Sequence, residues 1–358
     1  MKTILRLLVA IVFITSGFVK AIDVVGFSFK LEEYFSPSVF NMPFFESLAL
    51  PIAIFVVALE LLLGIMLLLK IGVKKTLGVM ILLCIFFAFL TFYSAYFNKV
   101  TDCGCFGDAI KFTPWQSFIK DIILLAALVI LWLWYKNEEQ EMPSSLSKIL
   151  LGLGILASGF VIFWGWFYEP LIDFRDYKIG TDLKAEKKKI EENPSEFKTF
   201  YVLKNKKTNE EKEVNQDDYV NNAEYWSEGT PWEIQSDKTF SKMIKQGYKS
   251  EITKFKIDDA TGLDITSNIL NAPKAVILFC YKPNKADAQV LRRAEEQINQ
   301  MKDVYTVGVS TMPNTFKKLP NASMDMTAIK TIARSNPFVL VLENGKIVDK
   351  LPAKMYLK

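Results

Sequence analysis

Five stretches of this chain, each close to the length of a bilayer crossing and poor in charge, restrict its fold more than any other feature. A hydrocarbon core about 30 Å thick takes roughly 20 apolar residues in a helix. Residues 4–19, 47–69, 76–97, 116–135 and 149–168 meet or approach that length, so the pattern predicts five transmembrane helices. Trp132 and Trp134 close the fourth stretch and Trp164 and Trp166 the fifth, where aromatic belts form. Residues 169–358 have the Lys, Glu, Asp and Asn texture of a soluble domain. The chain average, 51% hydrophobic against 23% charged, therefore mixes two unlike halves. The first stretch also resembles a signal peptide, with a basic start and Val19-Lys20-Ala21 as a cleavage site. Ser16, Gly17 and Lys20 extend it without a turn-rich cleavage region, which favours a retained helix.

Positive charge sets the expected orientation. With the N-terminus in the cytoplasm, the inner pieces hold Lys2, Arg6, Lys70, Lys74, Lys75, Lys136 and Lys148. The outer loops, 20–45 and 98–115, hold only Lys20, Lys30, Lys99 and Lys111. Five crossings then put residues 169–358 on the extracytoplasmic, periplasmic side of an inner membrane. Loop 20–45 is unusually apolar for an outer loop. It reads first as a segment packed over the bundle mouth, and second as a lid or partner-docking surface.

Histidine is absent from the sequence, which removes His-ligated haem, His-containing zinc sites and Ser-His-Asp or Cys-His catalysis. A formal charge of +4, dispersed along the chain, gives no basis for nucleic-acid binding. The cysteines are Cys84, Cys103, Cys105 and Cys280, and only Cys103 and Cys105 are neighbours. They lie in Asp102-Cys103-Gly104-Cys105-Phe106-Gly107-Asp108, just past the third helix on the outer side. One glycine between two cysteines permits the sharp turn that a disulfide needs. A bond closing so small a ring gains little from loop entropy and is comparatively easy to reduce. Redox exchange is the first reading. An inert disulfide, structural thiols and a soft-metal site with Asp102 and Asp108 remain alternatives, the metal site weakest for want of further ligands.

The four-helix unit with this loop between helices three and four resembles the DoxX-like group, specifically the methylamine utilisation protein MauE family. The resemblance covers residues 1–136. It rests on Arg6, the Ser16-Gly17 to Lys20-Ala21 stretch, Glu60 in Leu59-Glu60-Leu61, and above all the Cys103-Gly104-Cys105-Phe106-Gly107-Asp108 run. It implies a membrane accessory that assists disulfide formation or maturation of an exported partner. The fifth helix, in residues 137–168, and the long C-terminal region depart from a minimal member.

Glu60 falls near the middle of the second helix, where an ionisable group costs about 2.5–3.5 kcal/mol to insert and therefore faces the bundle interior. Lys20, Lys120 and Asp121 are its candidate neighbours. A proton relay, a polar site for a quinone head group and a packing contact that sets helix register are all open. Cys84 lies about 20 Å below the outer end of its helix, too deep to reach Cys103 or Cys105, and reads as a packed apolar residue.

In the C-terminal half, residues 170–200 read as a linker with a short solvated helix, and 199–215 as a hairpin. Residues 169–270 form the linker and hairpin region, and 271–358 a further domain. There the strand KAVILFCY, the helix ADAQVLRRAEEQINQM, the strand DVYTVGVS, a helix in 325–334 and the hairpin PFVLVLENGKIVDKL follow in order. This order resembles the α/β thioredoxin fold over about 275–351, with Ser335-Asn336-Pro337 where that family has its cis-proline. The last helix of that fold is not evident. Nor is the redox Cys-x-x-Cys: Tyr281-Lys282-Pro283-Asn284 follows the strand instead, and Cys280 stands alone inside it.

The fold expected is an α-helical membrane bundle, a four-helix unit plus a fifth helix, followed by a thioredoxin-like domain. The leading functional expectation is a membrane thiol–disulfide accessory. Cys103 and Cys105 are its exchange pair, supported by Gly104, Asp102, Asp108 and Glu60, with an exported protein as partner and a quinone as candidate acceptor. The alternative is a non-catalytic assembly protein whose Cys103–Cys105 bond is structural. A transporter is the weakest reading, since only Glu60 is deeply intramembrane and no inverted repeat is evident.

Overall fold

The computed structural model describes residues 1–99, 107–110, 112–138 and 142–357. Among them, five helices are long and apolar enough to cross a membrane: α1 (Lys2–Ile22), α4 (Ala49–Leu68), α5 (Val73–Phe97), α6 (Pro114–Tyr135) and α7 (Ser145–Phe167). Two shorter helices, α2 (Val24–Phe35) and α3 (Pro43–Ser47), occupy the stretch between the first two spans. Local signals start the helices where they begin. Thr113 and Gln116 form a reciprocal capping box ahead of Pro114, and the Ser144 hydroxyl accepts from the Ser147 amide.

The central contact is between α1 and α4. A methyl group on Gly17 would come within 2.9 Å of the Leu61 side chain, and one on Gly64 within 2.8 Å of Ile14. Close approach through small residues is how helices associate in lipid, where the hydrophobic effect offers no drive. At the far end, Arg6 donates to the Leu67 and Leu68 carbonyls, closing the C-terminus of α4 with a cation. Helix α7 is peripheral, with Ile162 and Gly165 its only residues buried inside the protein.

The first span is longer than the hydropathy pattern implies, and Lys20 is part of it. Counted above among outer-loop charges, Lys20 is buried within the bundle at 2% exposure. The helix continues through it because Glu60 on α4 takes up its charge. The apolar outer stretch is helical as well. Phe27, Leu31 and Tyr34 of α2 are buried over the bundle mouth, as the first reading of that stretch has it.

The C-terminal half contains α8 (Leu183–Glu192), then β1 (Glu196–Asn205), β2 (Glu211–Asn215), α9 (Gln216–Asn221), β3 (Trp232–Ile234) and β4 (Phe240–Lys245). The chain continues through β5 (Asp258–Asp259), α10 (Thr266–Asn271), β6 (Lys274–Cys280), α11 (Ala288–Asn299), β7 (Tyr305–Ser310) and β8 (Asn321–Ser323). It ends with α12 (Met326–Ile332), β9 (Phe338–Glu343), β10 (Lys346–Pro352) and α13 (Ala353–Tyr356). The larger sheet runs β10-β9-β6-β7-β8-β5, with β6, β7 and β8 parallel and β9 antiparallel to β6. Alternation along β6 serves two cores. Ala275, Ile277 and Phe279 face one cluster, while Val276, Leu278 and Cys280 face another with Ala294 and Ile298 of α11. The β9–β10 turn has both Asn344 and Gly345 at positive φ, as an Asn-Gly hairpin requires. A final helix is present, but only as the four residues of α13.

The 199–215 hairpin forms as β1 and β2, inside a separate small sheet in which β1 also pairs with β3 and β4. The flanking segments behave differently from a solvated linker. Tyr177, Leu183, Ile252, Phe255 and Ile257 are buried in the core of the larger sheet. Leu183→Ala should therefore cost about 2–5 kcal/mol, as core truncations do. A shift within about 0.5 kcal/mol in denaturant unfolding of the full chain, the range of a surface change, would contradict this packing.

Candidate functional site

Of the residues singled out in the outer loop, Asp102, Cys103, Gly104 and Cys105 lie outside the described residues. The loop's far end is described, and it is anchored. Asp108 accepts a 2.7 Å hydrogen bond from Nη2 of Arg334, on the segment between α12 and β9. The same guanidinium reaches Asp23, at the α1–α2 junction, through Nε at 2.9 Å and Nη2 at 2.7 Å. Asp23 also caps α2 by accepting from the Gly26 amide. Arg334 thus ties the entry of α2 and the end of the cysteine loop to the C-terminal sheet. Only arginine presents a planar fork able to hold two carboxylates at once.

A second contact repeats the pattern with signs reversed. Glu32 of α2 accepts from Lys282 at 3.0 Å and from Lys330 at 2.8 Å. Phe29 packs edge-on against Tyr281 at 5.9 Å and carries the Lys330 ammonium 4.4 Å above its ring. Glu169, just after α7, accepts from the Arg334 amide and the Ser335 hydroxyl with one oxygen and from Arg175 with the other. Asp173 then joins Arg175 to Lys350. A cleft of about 420 Å³ remains between bundle mouth and domain, with Gly107, Asp108, Glu32, Lys330 and Arg334 among its walls.

These contacts fall on one end of the larger sheet. The Asn336–Pro337 peptide is cis. The Asn336 side chain accepts from the Tyr281 amide and donates to the Lys282 carbonyl, holding the segment that follows β6. Cys280, one residue earlier, is fully buried, and burial pushes its thiol up to about 11, far from thiolate reactivity.

Inside the bundle, Glu60 meets Lys20 directly, at 2.8 and 3.0 Å, and Ser16 accepts a third hydrogen bond from the same ammonium. Lys120 pairs instead with Asp121 at 2.6 Å, and Thr91 donates to the other Asp121 oxygen at 3.2 Å. Cys84 is buried, as expected, but not in wholly apolar surroundings, since its thiol donates to the Asp121 carbonyl at 3.4 Å. All of these except Thr91 line one cavity of about 20 Å³. That is room for a water molecule and not for a quinone ring, so the residues around Glu60 do not fit a quinone head group.

The sequence points to Asp108 but not to its partner Arg334. Lys20 was legible as one of several neighbours of Glu60. Arg334 and Glu32 carry no motif, and only the folded chain brings them to the mouth.

Residues 1–135 match the family model described as methylamine utilisation protein MauE. The spanning helices α1, α4, α5 and α6 are thus similar to the MauE family. The match ends with the last residue of α6, so α7 and the C-terminal sheets lie beyond it. Comparison with curated proteins and with solved structures found no match.

Burial pushes the Asp23 and Glu32 carboxyls up, but Arg334 on one and Lys330 with Lys282 on the other outweigh it, and both sit below their ordinary values. A depressed folded pKa stabilises docking above the ordinary value, and the contribution is lost as pH falls through the depressed one. Docking should therefore hold at neutral pH and loosen below the ordinary glutamate value of 4.5. Arg334→Gln should loosen it at neutral pH, because breaking a buried pair costs about 3–5 kcal/mol. Faster amide exchange in residues 24–35 and 326–337 is the readout, and unchanged protection in both conditions would refute the contact.

Proposed function

We propose that the protein is a membrane thiol–disulfide accessory of the MauE type, in which Cys103 and Cys105 exchange with cysteines of an exported partner. The observation that carries this reading is the Arg334 bridge. Three residues beyond Cys105, the chain is fastened by Asp108 to the sheet end that bears Asn336–Pro337. The strand order β10-β9-β6-β7 with α11 between β6 and β7 supports a thioredoxin-like reading of the C-terminal domain. Here the end of β6 leads into Tyr281-Lys282 in place of a Cys-x-x-Cys, and the nearby Arg334 binds Asp108, three residues past the cysteine pair in sequence.

The exchange we envisage is a thiolate of one partner attacking the Cys103–Cys105 bond, giving a mixed disulfide and one free thiol. Attack by the partner's second thiolate then releases a disulfide in the partner and a dithiol in the loop. The C-terminal domain positions the loop, and Cys280 takes no part. Residues 169–357 share the bundle end that carries the loop, which agrees with an extracytoplasmic, periplasmic location read from the Lys/Arg asymmetry. The family name points to methylamine utilisation as the setting.

Cys103→Ser or Cys105→Ser should abolish exchange or trap a mixed disulfide, visible as a higher band on non-reducing gels after alkylation. Cys280→Ser should behave as wild type. If both loop variants retain full function and trap nothing, the pair is structural and the protein is an assembly factor. For orientation, an impermeant thiol reagent applied to intact spheroplasts after mild reduction should label Cys103 and Cys105. Labelling only after the inner membrane is opened would reverse the topology.

A further inference from the structure

Among the described residues, Lys20, Glu60, Lys120 and Asp121 are charged side chains inside the bundle that thiol exchange does not use. Lys20 on α1 faces Glu60 on α4, and Lys120 and Asp121 lie on α6. Glu60 and Asp121 are 4% and 3% exposed. Ionisable groups within membrane spans are costly and mark functional paths by default. The two pairs are not separate. Ser16, Lys20, Glu60, Cys84, Lys120 and Asp121 all border the same cavity of about 20 Å³, between α1, α4, α5 and α6. Neither α2 nor α7 adds an ionisable side chain to its lining. A cavity this size holds a water when two to four polar groups surround it, and each carboxylate here keeps accepting capacity beyond its ion pair.

The polar surroundings continue in one direction only. Toward the outer mouth, Thr91 donates to Asp121. Ser117 lies one turn beyond Asp121 on the same face of α6, fully buried, its hydroxyl without a hydrogen-bond partner among the described residues. A buried hydroxyl without a partner is a place where water belongs. Further out, the Ser94 hydroxyl meets the Tyr34 phenol of α2 at 2.8 Å. Toward the other end the interior is apolar, with Val9, Leu63, Leu77, Met80 and Leu128, as far as Thr76, which is buried and donates to the Ile71 carbonyl. The next charge that way is Arg6, which is engaged by the Leu67 and Leu68 carbonyls.

We propose that Lys20, Glu60, Lys120 and Asp121 form a one-sided proton site, open to the outer mouth and closed toward the opposite end. A proton enters along Ser117 and Thr91, passes Asp121 and resides on Glu60. Passing it inward breaks an O–H bond of protonated Asp121 as one forms on the cavity water. A water O–H bond then breaks as one forms on Glu60, and nothing is oxidised or reduced. The extra positive charge falls near the rings of Phe87 and Phe27, 5.3 and 5.8 Å from the Lys20 ammonium. The arrangement stores and exchanges protons at the end where the cysteine loop lies, and does not conduct them across the membrane. It stands independently of the thiol reading.

The test is infrared spectroscopy of the full chain in oriented proteoliposomes, following the carboxylic C=O band while pH is changed on one side at a time. The expected result is a band that grows on acidifying the side bearing residues 169–357 and ignores the pH opposite. Glu60→Gln should remove it. The double variant Lys20→Met with Glu60→Gln leaves no lone buried ammonium, and should remain folded and also lack the band. Ser117→Ala should slow hydrogen–deuterium exchange of the band several-fold in otherwise intact protein. The proposal is overturned if wild type shows no titrating carboxyl, if the folded double variant keeps the band, or if the band follows the opposite compartment.

Discussion

A charge withdrawn from water must find an opposite charge or a row of dipoles, and that requirement organises this chain from one end to the other. In a low-dielectric setting a lone ion costs far more than any single packing contact can return. Arg6 meets it with the carbonyls at the end of α4, Lys20 with Glu60, and Arg334 with Asp23 and Asp108. Each pairing joins segments distant in sequence. Together they fix the arrangement: α1 against α4, α2 over the mouth, and the C-terminal sheet against α2. Apolar packing supplies the bulk of the contact area but is indifferent to register in lipid. The charged pairs pin one arrangement among several that packing alone would permit.

What was legible in the sequence follows from the same physics. Five apolar runs and an Asn-Gly hairpin are local signals, and each appears in the fold near its expected place. The Cys-Gly-Cys run and Glu60 were visible because both are anomalies, a paired thiol in a loop and a carboxylate in an apolar helix. Lys20 was misjudged by position. It follows an apolar run near the end of a helix, where a lysine normally reaches for the surface. Only Glu60, forty residues on, explains why it turns inward. In the stretch 170–200 the expected short solvated helix forms as α8, but the attachment of that stretch to the core was not legible, for a related reason. Its Lys and Glu density advertises solvent, while Tyr177 and Leu183, two residues among many charges, carry its attachment to the core. Arg334 had no local signal, since its two carboxylates belong to the other half of the chain.

The docked arrangement also bears on how a partner could approach. The sheet end that follows β6 is engaged by α2 through Phe29 and Glu32, and by its own Asn336. A face so occupied is poorly placed to grip a second protein. The remaining access is the cleft beside Gly107 and Asp108, whose walls come from both halves. A partner entering there would be read by the bundle mouth and the domain together.

The two polar sites divide the work by environment. At the mouth, Arg334, Lys330 and Glu32 are partly reached by water, so ionic strength and pH can act on them within ordinary ranges. Deeper in, Lys20, Glu60 and Asp121 are buried in the bundle, and the proton site proposed above reaches the same mouth through hydroxyls. Thiol exchange consumes and regenerates thiolates, so its rate depends on protons available where the thiols stand. A proton reservoir opening beside the loop, and sealed from the opposite side by the apolar residues between Lys20 and Arg6, would serve that need without dissipating a gradient across the membrane.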